Sequence, residues 1–241
     1  MIGIRRAIVL LLLSLFFWQY VLTALIGPDD FFAMSVGMSA VYGIAFVGLA
    51  AEWFWARWFA TGVGQFGSFF LLVLLQIGPE PTIVFFGVSH LLVWVLLAGE
   101  GMAARYEHSE ATAERWNFQE DSLALMRRAV RSAGMSLPLI ILYTLGPRPE
   151  LLHVVVLGLA VFGTAGLVRG RTWSVFALGA AGALALADGL GYIGATAQGY
   201  MLMDPAGSLL LSGPIFPILA GGLLIVPLMF ARPMARFLRA A

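Results

Sequence analysis

Two ionisable residues of this sequence stand inside long apolar stretches, where a charge is costly. His90 lies in the apolar run that ends near residue 99, and Asp188 lies in the run that ends near residue 194. A charged side chain at the centre of a lipid-facing helix costs roughly 2.5–3.5 kcal/mol. Both side chains should therefore face a protein interior or a watery cavity. There an imidazole beside a carboxylate could hold a proton, pass it on, or receive a polar substrate.

Further polar side chains fall at the same predicted depth. Gln19, Tyr42, His90 and Asp188 form one layer, roughly 10–13 Å below the outer surface when residues are counted at about 1.5 Å each. Two alternatives stay open for the His90 and Asp188 pair. The pair could serve only as a hydrogen bond that joins two helices, or Asp188 could lie higher, in the outer interface, because glycines blur its helix end.

The common catalytic and cofactor motifs do not occur in the sequence. There is no G-x-S-x-G motif, no Walker loop, no G-x-G-x-x-G loop after a strand, and no H-E-x-x-H. The three histidines, His90, His108 and His153, are scattered, and cysteine is absent. A buried metal cluster and thiol catalysis are therefore disfavoured. A bis-histidine haem is disfavoured too, because His90 and His153 differ in predicted depth. We predict no metal, no cofactor and a role other than catalysis.

Membrane-spanning helices are the elements that would position these residues. Of the 241 residues, 61% are hydrophobic and 11% are charged, whereas a soluble domain carries about 25% charged residues. About 20 apolar residues cross a bilayer as a helix. We predict an all-α polytopic transmembrane bundle, a single domain over residues 1–241, with about eight spans built as four hairpins. The spans are 7–26, 33–51, 60–77, 82–99, 133–146, 151–168, 172–194 and 208–231, with a cytoplasmic loop at 100–132.

Two features refine this arrangement. The fifth span is short, and we expect it to extend back to a helix start near Asp121 and Ser122, with Pro138 inside it. The connections at 26–29, 77–80 and 145–148 each read as an apolar residue, Gly, Pro and a charged residue. Gly ends a helix and Pro prevents its continuation. The repeated turn indicates either convergent use of a good turn or descent from a duplicated helical hairpin.

The arginines predict the orientation of the chain. All fourteen cationic residues are Arg, and only Arg148 falls in a predicted outer segment. The positive-inside rule then places both termini in the cytoplasm, and a bacterial cytoplasmic membrane fits this pattern. Arg127, Arg128 and Arg131 stand among apolar residues and predict an amphipathic stretch on anionic inner-leaflet lipids. The alternative is a docking surface for another membrane protein. The net charge of +1 offers no basic excess for nucleic acid.

A ridge of small residues marks the seventh predicted span. Gly179, Ala183, Ala187 and Gly191 repeat every four residues, which lets a second helix approach closely. We interpret this ridge as internal packing, because Asp188 also belongs inside. Oligomerisation, or contact with a partner's span, is the alternative.

Three classes of function are compatible with the sequence. The first is an accessory or scaffold subunit of a membrane complex, which the missing catalytic motifs, short loops and small-residue ridge favour. The second is a small transporter or proton-coupled carrier that uses the polar layer around His90 and Asp188. The third is an intramembrane enzyme acting on lipid, with these two residues as acid and base. We favour the first.

Overall fold

The computed structural model of the chain describes residues 2–107, 120–144, 151–193 and 214–230, and these residues are mostly helical with no strand among them. Short 3-10 turns lie at Asp29–Phe31, Phe70–Leu72 and Val226–Phe230. The helices are α1 Ile2–Ile26, α2 Phe32–Ala50, α3 Ala56–Phe69, α4 Leu74–Ile77, α5 Pro81–Leu97, α6 Glu100–Glu107, α7 Glu120–Thr144, α8 Leu151–Val168, α9 Trp173–Gly189 and α10 Ile215–Ile225. The predicted all-α class is confirmed.

Three of the described helices, α1, α2 and α8, are long and apolar enough to cross a membrane. The pair α5 and α6 passes the same test together, but it bends by 74° at a short break. Gly99 lies in that break with φ of +95°, a backbone conformation that favours glycine. Helix α9 and the stretch Ile215–Met229 are apolar but shorter. The count of eight spans, the four hairpins and the orientation stay predictions.

Several boundaries follow the expectations from sequence. Helix α7 does begin before the fifth predicted span, at Glu120, and it carries Pro138 in its interior. The first two Gly-Pro turns follow the ends of α1 and α4, and Gly78 has a φ of +83°. The third turn lies outside the described residues. Within the segment 100–132, predicted as a cytoplasmic loop, α6 and the first half of α7 are helical.

The helices pack in two groups that share one large apolar core. In the first group α1 packs against α2 and α5, and α3 packs against α2 and α5. In the second group α9 packs between α8 and α10. Helix α7 joins the groups, because it contacts α3 on one side and α8 and α10 on the other. The central pair of helices is therefore α3 and α7.

Glycines allow α3 to pack closely against its neighbours. A side chain at Gly62 would overlap the backbone of α7 near Gly134, and one at Gly64 would come within 3.0 Å of the α5 backbone at Trp94. A side chain at Gly67 would overlap the ring of His90. The spacing of these three glycines thus fixes how near α5 and α7 come to α3.

Arginines gather at one end of the bundle and bind the ends of helices there. Arg5 donates to the carbonyl of Leu96 at 2.6 Å, and Arg6 donates to the carbonyl of Ala50 at 2.8 Å. Arg57 donates to a carbonyl in the last turn of α5 at 2.8 Å. These carbonyls are ones that a helix leaves without an internal partner, and cations are favourable at helix C-termini. The first turns of α1 and α3 therefore lie beside the last turns of α2 and α5. We call this region the arginine-rich end.

Candidate functional site

His90 is engaged through both nitrogens of its ring. The hydroxyl of Tyr42 lies 2.6 Å from Nε2, and Nδ1 lies 2.7 Å from the carbonyl oxygen of Phe86 one turn earlier in α5. The carbonyl can only accept, so Nδ1 carries a proton, and in the neutral ring Nε2 accepts from Tyr42. This pairing holds α2 against α5 and selects the Nδ1–H tautomer of the neutral imidazole.

Aromatic side chains enclose the same imidazole. Its centroid lies 4.5 Å from that of Phe16 and 4.1 Å from that of Phe86. Tyr20 stacks on Tyr42, with centroids 5.4 Å apart and planes inclined by 16°. His90 and Tyr42 are fully buried. Tyr42 and His90, which were predicted only to share one layer, thus form a direct hydrogen bond in an aromatic environment.

Asp188 belongs to a second buried cluster, formed by α7, α8 and α9. The hydroxyl of Tyr143 donates to Asp188 Oδ2 at 2.6 Å, and His153 Nε2 lies 3.8 Å from the same oxygen. The rings of Tyr143 and His153 meet edge to face, with centroids 4.6 Å apart. All three side chains are essentially inaccessible to solvent. A carboxylate, an imidazole and a phenol therefore share one enclosed space.

His90 and Asp188 are not brought together. Both nitrogens of His90 are used within the first group of helices, and Asp188 contacts Tyr143 and His153 in the second group. Gln19 does not join either cluster, contrary to expectation, because its side chain is exposed. The buried face of α1 runs through Phe16 and its neighbours at helical spacing, and position 19 lies about 100° round the helix from position 20.

The predicted small-residue ridge of α9 also needs correction. Gly179 packs against Leu228, but Ala183 and Gly191 are exposed and Ala187 is only partly buried. The close approach of α9 to α10 uses a different stripe, in which Gly182 lies against Gly221 and Gly189 lies against Pro217 and Ile218. A repeat of exactly four residues drifts round a helix of 3.6 residues per turn, so its members cannot all face one neighbour.

Glu107 forms a third buried cluster, at the arginine-rich end, where α6 folds back beneath α3. Its Oε1 accepts from Arg57, whose Nε lies at 2.8 Å, and from Trp58 Nε1 at 2.7 Å. Its Oε2 accepts from Arg127 at 2.5 Å. The carboxylate is 0% exposed, whereas the side chain of Arg127 is 41% exposed. This cluster therefore ties α3, α6 and α7 through one buried negative charge.

The predicted basic cluster of Arg127, Arg128 and Arg131 divides on α7. Arg128 is exposed, whereas Arg127 and Arg131 are half-buried and line a cavity of about 110 Å³ with Arg57. The stretch between them is part of the bundle, because Met126, Ala129 and Val130 are buried in the core. Two of the three arginines thus turn into the bundle.

An exposed ion cluster lies near the buried one. Glu52, between α2 and α3, accepts from Arg105 at 2.6 Å and pairs with Arg6 at 2.8 Å. The hydrogen bond from Arg105 is the main cause that lowers the pKa of Glu52, and the charge of Arg6 acts in the same direction. Glu52 is 40% exposed, so each of its ion pairs contributes only about 0–1 kcal/mol.

The three clusters contain residues that sequence reasoning did not single out. Tyr143 and His153 lie close to predicted helix ends, and Glu107 lies in a charged stretch that resembles a solvated surface. Tyr143 was detectable only as a polar residue in an apolar run, whereas Asp188 was itself a predicted site residue. Among the residues that the structure describes, no group of three or more His, Asp or Glu side chains could hold a metal ion. Searches against protein families, characterised proteins and solved structures returned no match to this chain.

Proposed function

We propose that this chain is an accessory or scaffold subunit of a membrane complex. The observation that carries the proposal is the state of His90. Its two nitrogens are occupied by Tyr42 and the Phe86 carbonyl, and aromatic rings enclose it. An imidazole held in this way stabilises the packing of two helices and has no nitrogen left over for a substrate or a mobile proton.

The other polar contacts support the same role. Tyr143 and Asp188 join α7 to α9, and Glu107 joins α3, α6 and α7. These buried groups act between helices, as polar residues do in membrane bundles. A rigid bundle of this kind could present its outer faces to a larger partner.

The outer faces are suited to lipid or to apolar helices of another protein. Large apolar side chains stand exposed along α1 and α8, among them Leu11, Leu15, Leu25, Leu151 and Phe162. Contiguous exposed apolar surface of this extent marks a membrane or protein contact. A subunit that is embedded beside a partner contacts both lipid and the apolar helices of that partner.

The experiment that tests this role examines the chain in its native membrane. A tagged chain at its natural expression level is extracted in mild detergent, and its complex is sized and its composition determined. We expect a complex of fixed stoichiometry, larger than the 26.0 kDa chain. Deletion of the chain should lower the abundance of the co-migrating partner, and re-expression of the chain should restore it.

A variant separates an accessory role from one that uses the imidazole. His90→Gln should still restore the partner's abundance at a temperature at which the variant folds, because a glutamine can keep the helices together without titrating. A chain that migrates alone and whose deletion changes no other membrane protein would overturn the accessory proposal. Failure of a folded His90→Gln variant would show that the imidazole has a chemical role.

A second candidate, a proton-coupled carrier, has one observation in its favour. Asp188 and His153 face each other at 3.8 Å beside Tyr143 in a buried space, and buried carboxylate and imidazole groups are typical of proton relays. Proton flux into vesicles that contain the purified chain tests it, with Asp188→Asn as the variant and Glu52→Gln as the control. Equal flux in wild type and folded Asp188→Asn would exclude this candidate.

A further inference from the structure

The cavity at the arginine-rich end is surrounded by an excess of positive charge. It lies between α3, the last turn of α5 and α7, with a volume of about 110 Å³, and Arg57, Arg127 and Arg131 line it. Glu107 is the one carboxylate bonded to these arginines among the described residues, and both of its oxygens are already occupied. Among the described residues, three guanidinium groups are thus bonded to or lie beside a single carboxylate.

Donors on two of these arginines have no partner in the described part of the chain. Arg131 makes no hydrogen bond or ion pair there, although its side chain is half-buried at the cavity. The Nε atom of Arg127 is buried and also lacks a hydrogen-bond partner. Buried donors of native proteins are nearly always paired, so the Nε atom of Arg127 points to a ligand that accepts hydrogen bonds, and Arg131 lines the same cavity.

The size and chemistry of the cavity suit a phosphate group. A cavity needs about 10–15 Å³ to admit one water, so this one has room for several water-sized groups such as the oxygens of a phosphate. The planar fork of arginine matches the oxygens of phosphate with paired, charge-assisted hydrogen bonds. Arg57 and Arg127 are held in place by Glu107, so the binding groups are preorganised.

One side of the cavity lies beside an apolar face of α5. Trp94 lines the cavity from the last turn of α5, and Ala98 lines it from the residue that follows this helix. Both residues are exposed. Leu91 and Val95 are exposed on the same helix. Tryptophan at a helix end is typical of the headgroup level of a membrane, and basic pockets between helices at this level bind lipid headgroups.

We propose that this cavity binds a phosphate group, with Arg131 and Arg127 as the donors that complete the site. The ligand is the phosphate of an anionic phospholipid or inorganic phosphate, which share this chemistry. The proposal goes beyond the accessory role and does not depend on it. Arg57 contributes positive electrostatic potential to the site, and Arg131 donates hydrogen bonds to the phosphate.

The test compares Arg131→Gln with Arg128→Gln in the purified full-length chain. The two variants carry the same substitution on the same helix, but only Arg131 lines the cavity. Binding is measured by titration with short-chain phosphatidylglycerol, short-chain phosphatidylcholine and inorganic phosphate at constant ionic strength, with thermal stabilisation as the readout. We expect Arg131→Gln to weaken binding by roughly tenfold or more, the scale of one charge-assisted hydrogen bond, and Arg128→Gln to leave it unchanged.

The pattern among the probes identifies the source of the phosphate. If the chain binds phosphatidylglycerol preferentially and this binding depends on Arg131, the ligand is a lipid headgroup. If only the binding of inorganic phosphate depends on Arg131, the ligand is soluble. If Arg131→Gln does not fold, Ala98→Glu replaces it, since this exposed position puts a repelling carboxylate in the lining of the cavity. Equal binding of every probe by the cavity variant and by Arg128→Gln would overturn the proposal.

Discussion

Replacing Glu107 or Glu52, two carboxylates at the arginine-rich end, by glutamine should have very different effects. Glu107 and Glu52 each bind two arginines, but the side chain of Glu107 is 0% exposed and that of Glu52 is 40% exposed. Glutamine keeps the shape of glutamate and one of its two oxygens. In Glu107→Gln that oxygen can still accept from Arg57 and Trp58, but the amide nitrogen then faces Arg127, so two donors oppose each other.

The magnitude follows from burial. Removal of one partner of a buried ion pair costs about 3–5 kcal/mol, because the other charge stays buried without compensation. Arg57 is only 11% exposed in its side chain, so this range applies to its pair with Glu107. The Arg127 pair is more exposed and adds about 1 kcal/mol at most. We therefore expect Glu107→Gln to lower the free energy of unfolding by about 3 kcal/mol or more, and Glu52→Gln by less than about 1 kcal/mol.

Equilibrium unfolding in mixed micelles of a mild detergent and sodium dodecyl sulfate measures both values, with helix content as the signal. The two variants have the same change in net charge and the same side-chain volume, so their difference isolates burial. Losses that are equal and below about 1 kcal/mol would refute the reasoning, because Glu107 would then not be a buried counter-ion. A larger loss for Glu52→Gln would refute it equally.

Three further predictions use the same unfolding measurement. Tyr42→Phe should cost about 1–3 kcal/mol, because His90 Nε2 would remain buried without a donor; a neutral result would contradict the hydrogen bond at 2.6 Å. Gly221→Ala should be clearly destabilising, because its Cβ would lie 2.7 Å from a backbone oxygen of α9, whereas Gly222→Ala next to it meets nothing within 4 Å; equal effects would contradict that packing. The lowered pKa of Glu52 in the folded chain means that its ion pairs stabilise fully above the unfolded carboxyl pKa of about 4.3. This contribution disappears as the pH falls through the lower pKa of Glu52 in the folded chain. The wild type should therefore lose slightly more stability on acidification than Glu52→Gln, and identical pH profiles of the two proteins would disprove this prediction.

Sequence patterns predicted those parts of the fold that depend on local chemistry. The helical class, the early start of α7 with Pro138 inside, and the ends of α1 and α4 at Gly-Pro turns follow from hydropathy, capping and proline stereochemistry. Each of these rules acts over a few neighbouring residues. Within the described residues, the structure contains each of these predicted features.

The partners of the polar residues could not be predicted in the same way. Counting residues gives a side chain's depth, but it does not give its direction round the helix or the helix that it meets. Gln19 is therefore exposed, and His90 contacts Tyr42 while Asp188 contacts Tyr143. Recognising these pairs requires knowledge of which helices are neighbours, which comes from contacts far apart in the chain.

The burial of Glu107 could not be predicted for a different reason. A glutamate in a charged stretch normally lies in water, and nothing local indicates that α6 bends by 74° away from α5 and carries this carboxylate under α3. The bend depends on Gly99, which adopts a conformation that few other residues tolerate. A single glycine thus decides whether a charged segment becomes surface or core.

The separation of Arg57 and Glu107 along the chain has a consequence for biosynthesis. Fifty residues separate the two partners, and a ribosome that adds about 5–20 residues per second needs roughly 3–10 seconds to pass from one codon to the other. During that interval the guanidinium of Arg57 lacks the carboxylate that binds it in the folded chain. The contact between α3 and α6 therefore forms late, after α6 has left the ribosome, and a chain arrested before that point should be more susceptible to proteolysis.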